Sequence, residues 1–274
     1  EYATRNSWFM RSQILPGNTW RMLQADDEKG VVTINEERPY RFCYVLEDLY
    51  GNRRTYRFVV QGKKQEIEPL HKGKHYLKWN QGNIVQQPGM SLVIPKGMLY
   101  EDVDLNCKVI ADSLNISYDY QLNDKPVPLH AGCPLSIGIR QYPVDDMSKY
   151  YVAKLHKGRK SSAGGTFKDG YINTTIRELG TYTVALDTIA PKVVPLNKPQ
   201  WKTGNIRFKI RDAETGIKNY KVYIDGEFVL FKFSSKNARL TSMHPSRIKR
   251  GMKHRMEVVV TDYCGNEARE EFVF

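Results

Sequence analysis

The chain lacks any apolar run approaching the roughly 20 residues that a membrane-crossing helix needs. Long Ala/Leu/Glu/Lys stretches are absent too, while Tyr, Val, Ile and Thr recur in short runs, a balance that favours strands over helices. Cysteine is sparse: Cys43, Cys107, Cys133 and Cys264 lie far apart with no Cys-x-x-Cys pair, which removes zinc-ribbon and thioredoxin-type chemistry. Cys43 and Cys107 fall in alternating segments and read as buried free thiols, with a Cys107–Cys133 bridge the alternative. The opening residues do not read as a signal peptide. The chain opens on Glu1-Tyr2-Ala3 without an initiator Met, so the natural protein is expected to extend upstream.

What is present suits two or three domains: 274 residues, 41% hydrophobic, with 17 Tyr and 10 Phe, enough for packed cores at about 100 residues each. The net charge of +12 is spread along the chain rather than massed in one block. That pattern reads as solvated basic strand faces, against the sharper reading of an anionic partner. No RNA-binding signature, zinc-finger spacing or Arg-rich helix supports nucleic acid.

An internal repeat organises the chain. Arg41 to Asn52, with Asp48, Gly51 and Asn52, aligns without a gap on Arg255 to Asn266, with Asp262, Gly265 and Asn266, at a constant offset of 214. Phe42, Tyr44 and Leu46 match Met256, Val258 and Val260, so each copy alternates apolar at period two. Asp bonds the turn backbone, while Gly and Asn tolerate positive φ, which makes each copy a strand, a tight turn and a returning strand. Such hairpins close immunoglobulin-like sandwiches. The expectation is an all-β chain of tandem immunoglobulin/fibronectin-like β-sandwich modules: residues 1–65 (truncated at the N-terminal side), 66–187 and 188–274.

In the first module Trp8, Phe9, Ile14, Leu15 and Trp20 are expected to be buried. In the middle module Val103/Leu105/Cys107/Val109, Leu135/Ile137/Ile139 and Tyr151/Ala153/Leu155 alternate, and Leu179-Gly180-Thr181-Tyr182 resembles a tyrosine corner. Residues 157–165 read as a mobile hairpin tip. In the last module Ile206 to Ile210 and Tyr220 to Ile224 are strands, Asp225-Gly226 is the strongest hairpin turn, and Phe228 to Phe231 returns.

Catalytic sets are missing. His71-x-x-x-His75 has helical ligand spacing but no intervening Glu and no credible helix, and His130, His156, His244 and His254 are isolated. Gly164-Gly165 precedes no Lys-Ser/Thr, and no Gly-x-Ser-x-Gly elbow occurs. The candidates left are Trp79 and Trp201 for stacking on glycans, weighed against core packing, and Lys157, Arg159 and Lys160 for an anionic surface.

Several motifs together resemble the C-terminal region of the lysostaphin-like (LytM-type) zinc peptidases of Bacteroidetes. They are Asp187-Thr-Ile-Ala-Pro191, Gly216-Ile217-x-x-Tyr220, Ile224-Asp225-Gly226-x-Phe228-Val229 and Arg250-Gly-x-x-His254, leading to Asp262-x-x-Gly-Asn266. Arg5-Asn-Ser-Trp8, Leu15-Pro-Gly-Asn18 and Gly30 to Val60 are similar to the module that follows the peptidase domain there. That family holds zinc with His-x-x-x-Asp and His-x-His motifs, and neither is present here. The resemblance therefore implies a non-catalytic accessory region with no cofactor of its own, zinc belonging to an upstream peptidase domain. It further implies a periplasmic, outer-membrane-associated or secreted setting, and peptidoglycan or another envelope glycan as partner. The alternative is a glycan- or envelope-binding, adhesin-like module with no attached enzyme.

Overall fold

The computed structural model describes residues 13–66, 75–111, 115–243, 248–249 and 251–274. Among them the regular structure is all-β, apart from short 3-10 turns at Met147–Lys149 and Lys198–Thr203. Among the described residues no helix is long and apolar enough to cross a membrane. The chain divides into two compact units, Glu1–Gly73 and Lys74–Phe274.

In the first unit β1 (Pro39–Glu47) pairs antiparallel with β2 (Arg53–Gln61), Glu47 lying opposite Arg53. Asp48 makes the turn. Its carboxylate accepts the Tyr50 and Asn52 backbone N–H at 2.9 and 3.0 Å and the Asn52 amide at 2.8 Å, while Gly51 takes φ +81°. The Phe42 and Tyr44 rings stack on Phe58. Tyr44 and Leu46 are nevertheless exposed, and so, on the opposite face of the strand, is Cys43, which corrects the expectation of a buried thiol: the described residues leave both side chains and thiol uncovered. Trp20, expected inside, is 72% exposed. Ile14 and Leu15 are half-buried, and Trp8 and Phe9 lie outside the described residues.

The second unit begins with a sandwich. Its strands are β3 (His75–Leu77), β4 (Asn83–Gln87), β5 (Met90–Ile94), β6 (Val103–Leu105), β7 (Lys108–Ile110), β8 (Asp119–Gln121), β9 (Val127–Gly138), β10 (Tyr150–His156), β11 (Arg159–Ser162), β12 (Thr166–Lys168), β13 (Tyr171–Leu179) and β14 (Thr181–Leu186). One sheet runs β11-β10-β14-β8-β7 and the facing one β12-β13-β9-β5-β4, with β3 and β6 as a separate pair. Leu92, Ile94, Leu135, Ile137 and Ile172 from one sheet pack on Tyr120, Val152, Tyr182 and Val184 from the other. The Tyr182 hydroxyl donates to the Glu178 carbonyl at 3.0 Å, forming the tyrosine corner. Burial raises the pKa of Tyr120 to about 12, so its hydroxyl remains a donor, to the Pro88 carbonyl at 2.7 Å.

A second sandwich follows, with β15 (Lys192–Leu196), β16 (Arg207–Arg211), β17 (Ile217–Ile224), β18 (Glu227–Phe228), β19 (Phe231–Ser234), β20 (Arg239–Ser242), β21 (Arg255–Asp262) and β22 (Glu267–Val273). The orders β15-β16-β20-β19 and β18-β17-β21-β22 give the immunoglobulin-like arrangement. Asp225 and Gly226 both take positive φ, +51° and +83°, as a two-residue hairpin turn requires. Phe228 to Phe231 is not one returning strand. The chain leaves β17 after two residues and crosses at buried Val229 to the opposite sheet. The turn at Asp262 repeats the one at Asp48: its carboxylate accepts the Asn266 backbone N–H and side-chain amide, both at 2.8 Å, and Gly265 has φ +77°.

The two turns differ in burial, Asp48 being exposed and Asp262 fully buried. Deleting a buried acceptor leaves its donors without water, at about 1–3 kcal/mol. Asp262→Ala should therefore destabilise the second unit by about that amount in urea unfolding, while Asp48→Ala should cost the first unit under about 1 kcal/mol. Equal losses would contradict the burial difference.

Candidate functional site

An ordinary strand of a sandwich buries alternate residues, yet in β10 four consecutive residues, Tyr150 to Ala153, are buried, and in β14 so are Tyr182 to Ala185. The odd set faces something else. Tyr151, Ala153 and Ala185 form a small apolar cluster with Cys264, which lies between Asp262 and Gly265 in the closing turn of the last sandwich. That turn is held from both sides. Lys149 Nζ donates to the Cys264 carbonyl at 3.0 Å, and the Asn266 amide donates to the Asp187 carbonyl at 3.0 Å. The Tyr151 hydroxyl donates to Glu214 at 2.6 Å. Burial first, and then the Glu214 carboxylate, keep that phenol protonated well above its ordinary range.

Three carboxylates converge here. Asp187, Asp212 and Asp262 each place an oxygen within 4.8 Å of the others. Oxygen-only donors suit a hard cation rather than zinc. The oxygens are, however, already engaged in shaping backbone. Asp187 accepts the Thr215 hydroxyl at 2.7 Å and the Ile189 N–H at 3.2 Å. One Asp212 oxygen gathers the N–H groups of Glu214, Thr215 and Gly216 at 2.7–3.0 Å. Burial raises the pKa of the Asp187 carboxyl; the Thr215 and Ile189 hydrogen bonds oppose that rise, and the neighbouring Asp212 and Asp262 add to it. What the arrangement does chemically is fasten Asp187, at the end of the first sandwich, to two turns of the next.

Of the residues singled out from sequence, Asp262, Gly265 and Asn266 form this junction, and Asp48, Gly51 and Asn52 form its exposed counterpart in the first unit. Asp225, itself exposed, serves a second contact to a buried histidine: its carboxylate lies 2.6 Å from His254 Nδ1 and accepts the Arg255 N–H, while His254 Nε2 lies 3.0 Å from the Lys249 carbonyl. Trp201 corrects the glycan expectation. It is 1% exposed, packs on Phe208, Phe272 and Phe274, and donates its indole N–H to the Leu196 carbonyl, so no ring face is left for a sugar. Trp79 is half-buried at the margin of the first core. Lys157, Arg159 and Lys160 are exposed on the tight hairpin joining β10 to β11, with Lys157 and Gly158 at positive φ. His71 and His244 lie outside the described residues; His75 opens β3, and His130 stacks on Tyr100. All four cysteines are free thiols, so Cys107 and Cys133 form no bridge.

Residues 74–187, the first sandwich of the second unit, match the family model of the Zu5-like domain. Among curated proteins no relative is found. The match covers the domain whose last residue is Asp187, so its boundary coincides with the junction.

Two outcomes follow from this geometry. The Asp225 and Lys249 acceptors make His254 more basic than its ordinary value, so its stabilising contribution is fully present below about pH 6.5 and lost as pH rises through the raised value. Asp225 is held more acidic by His254, so its share is present above about pH 3.8 and lost as pH falls through the lowered value. The melting-temperature difference between wild type and His254→Gln should thus be largest between those limits and shrink above neutrality. A difference independent of pH would contradict it. Burial pushes the Cys264 thiol up to about 11 and raises Cys133 as well. In native disulfide-exchange titration Cys43 should therefore react first, with Cys264 and Cys133 reacting only on unfolding; rapid labelling of Cys264 would show the junction open.

Proposed function

We propose that the chain is a non-catalytic accessory region of a cell-envelope peptidoglycan metalloendopeptidase, whose paired sandwiches act as a stiff arm that positions the catalytic domain. The observation that carries the reading is the junction itself. A spacer of freely hinged modules has no use for a buried acid, a buried amide and a four-residue apolar cluster between two domains, whereas an arm that sets an orientation does. Domain contacts within a chain are otherwise small and polar, with relative motion the default.

The peptidase assignment rests on the sequence resemblance. The non-catalytic part of the reading is supported by the missing His-x-x-x-Asp and His-x-His motifs, which leave this segment without the zinc ligands of that family. It is also supported by the use of the converging Asp187, Asp212 and Asp262 oxygens in turns. Incubated with purified sacculi and added zinc, the full chain should release no muropeptides above the buffer control. Zinc-dependent release would overturn the non-catalytic reading. The encoding reading frame should carry both zinc motifs upstream of Glu1, and their absence would detach the region from the peptidase family.

A further inference from the structure

The outward face of the β12-β13-β9-β5-β4 sheet carries a site of a different kind. Gln86 lies opposite Ser91, Ser91 opposite Ser136, Ser136 opposite Asn173 and Asn173 opposite Thr166. One rung crossing all five strands therefore presents only amide and hydroxyl side chains. Its register is fixed from beneath, because a slip of one residue would turn Leu92, Leu135, Ile137 and Ile172 out of the core.

Beside this rung the next position pairs Tyr171 with Gly138. A Cβ on Gly138 would meet the Tyr171 ring at 3.3 and 3.6 Å, so the ring lies across the strand where a side chain would otherwise stand. Tyr171 remains 40% exposed. Two hairpin turns rise beside it. The Asp169-Gly170 turn has both residues at positive φ. The Pro88-Gly89 turn is pinned by the Tyr120 hydroxyl on the Pro88 carbonyl and the Gly138 N–H on the Gly89 carbonyl, at 2.7 and 2.8 Å. Between them lies a groove of about 560 Å³ with Ser91, Ser136 and Asn173 as its floor and Gln86, Lys168 and Tyr171 on its sides. That volume falls in the range of small-molecule sites, about 300–1,000 Å³.

The geometry points to this groove as a binding site for a short uncharged pyranose oligosaccharide. Amides and hydroxyls offer donors and acceptors together, which is what the vicinal hydroxyls or acetamido groups of a sugar require. An exposed ring lying along the groove gives the C–H face of a pyranose an apolar partner. Among the described residues the only charged side chains lining it are Lys168 and its neighbour Asp169, of opposite sign, so the lining itself favours an uncharged ligand over an ion. The Ser136 hydroxyl donates to Asn173 Oδ1 at 2.6 Å, and the Asn173 amide makes a long 3.4 Å bond to the Tyr171 carbonyl. The amide thus has a donor to spare for a ligand. The site goes beyond the accessory role and does not depend on it, since no residue in it belongs to the junction and no peptidase is needed.

The test is titration of the full chain with chitotriose, cellotriose and maltotriose, followed by calorimetry and by amide shifts in 15N-labelled protein. At least one should bind with a dissociation constant below about 10 mM, with shifts centred on Ser91, Ser136, Tyr171 and Asn173. Tyr171→Ala and Ser136→Val, each checked for an unchanged melting temperature, should weaken binding about tenfold or more. Tyr171→Phe, which keeps the ring, should stay within about threefold of wild type. Failure of all three sugars to bind would overturn the proposal, as would binding that both Tyr171→Ala and Ser136→Val leave unchanged.

Discussion

The Asn266 side-chain amide makes two hydrogen bonds, one to Asp262 within its own turn and one to the Asp187 carbonyl at the end of the preceding domain. Much of the second unit depends on that bifurcation. The first bond sets the turn that registers β21 against β22. The second fixes where that turn lies, and so where Cys264 enters the cluster with Tyr151, Ala153 and Ala185. Asp187, held by Thr215, ties the same point to the turn after β16. Three segments far apart in sequence therefore share one small buried volume, and each polar group there has its partner, which is the condition for burying such groups at all.

The chain supplies its own comparison. At Asp48 the same carboxylate-to-amide hydrogen bonds recur at the same spacing, but Leu49 and Tyr50 are almost fully exposed. Tyr50 stands at the position of Cys264, which is buried. Turn geometry is therefore local and intrinsic to Asp-x-x-Gly-Asn. Junction formation is a separate property, supplied by the surface of β10 and β14 and by the exact side chain offered at the tip.

The elements legible in the sequence were those whose physics is local. Alternation gave β16, β17 and β21, the Asp-Gly pair gave the turn after β17, and Leu-Gly-Thr-Tyr gave the tyrosine corner. Misread positions depended on distant chain. Trp201 looked like a possible surface platform, yet a 3-10 turn swings it under Phe208 and Phe272. Trp20 and Cys43 belong to a unit whose described residues leave them uncovered. The crossing at Val229 interrupts a segment that alternation alone would make one strand. The junction did leave a trace: the unbroken apolar runs at Tyr150 to Ala153 and Val184 to Ala185 exceed what one core can use, which is the signature of a strand buried on both faces. The rung from Gln86 to Thr166 left none, because five strands whose rung residues run from Gln86 to Asn173 in the sequence meet only through long-range register.

Rigidity of the junction is the claim on which the positioning role stands. Backbone N–H residual dipolar couplings, measured for the full chain in a dilute aligned medium, report the orientation of each sandwich independently. Couplings from residues 75–186 and from residues 192–273 should fit a single alignment tensor of one magnitude and one set of axes. Two tensors of clearly different magnitude would mean that the sandwiches reorient freely, and would contradict the account.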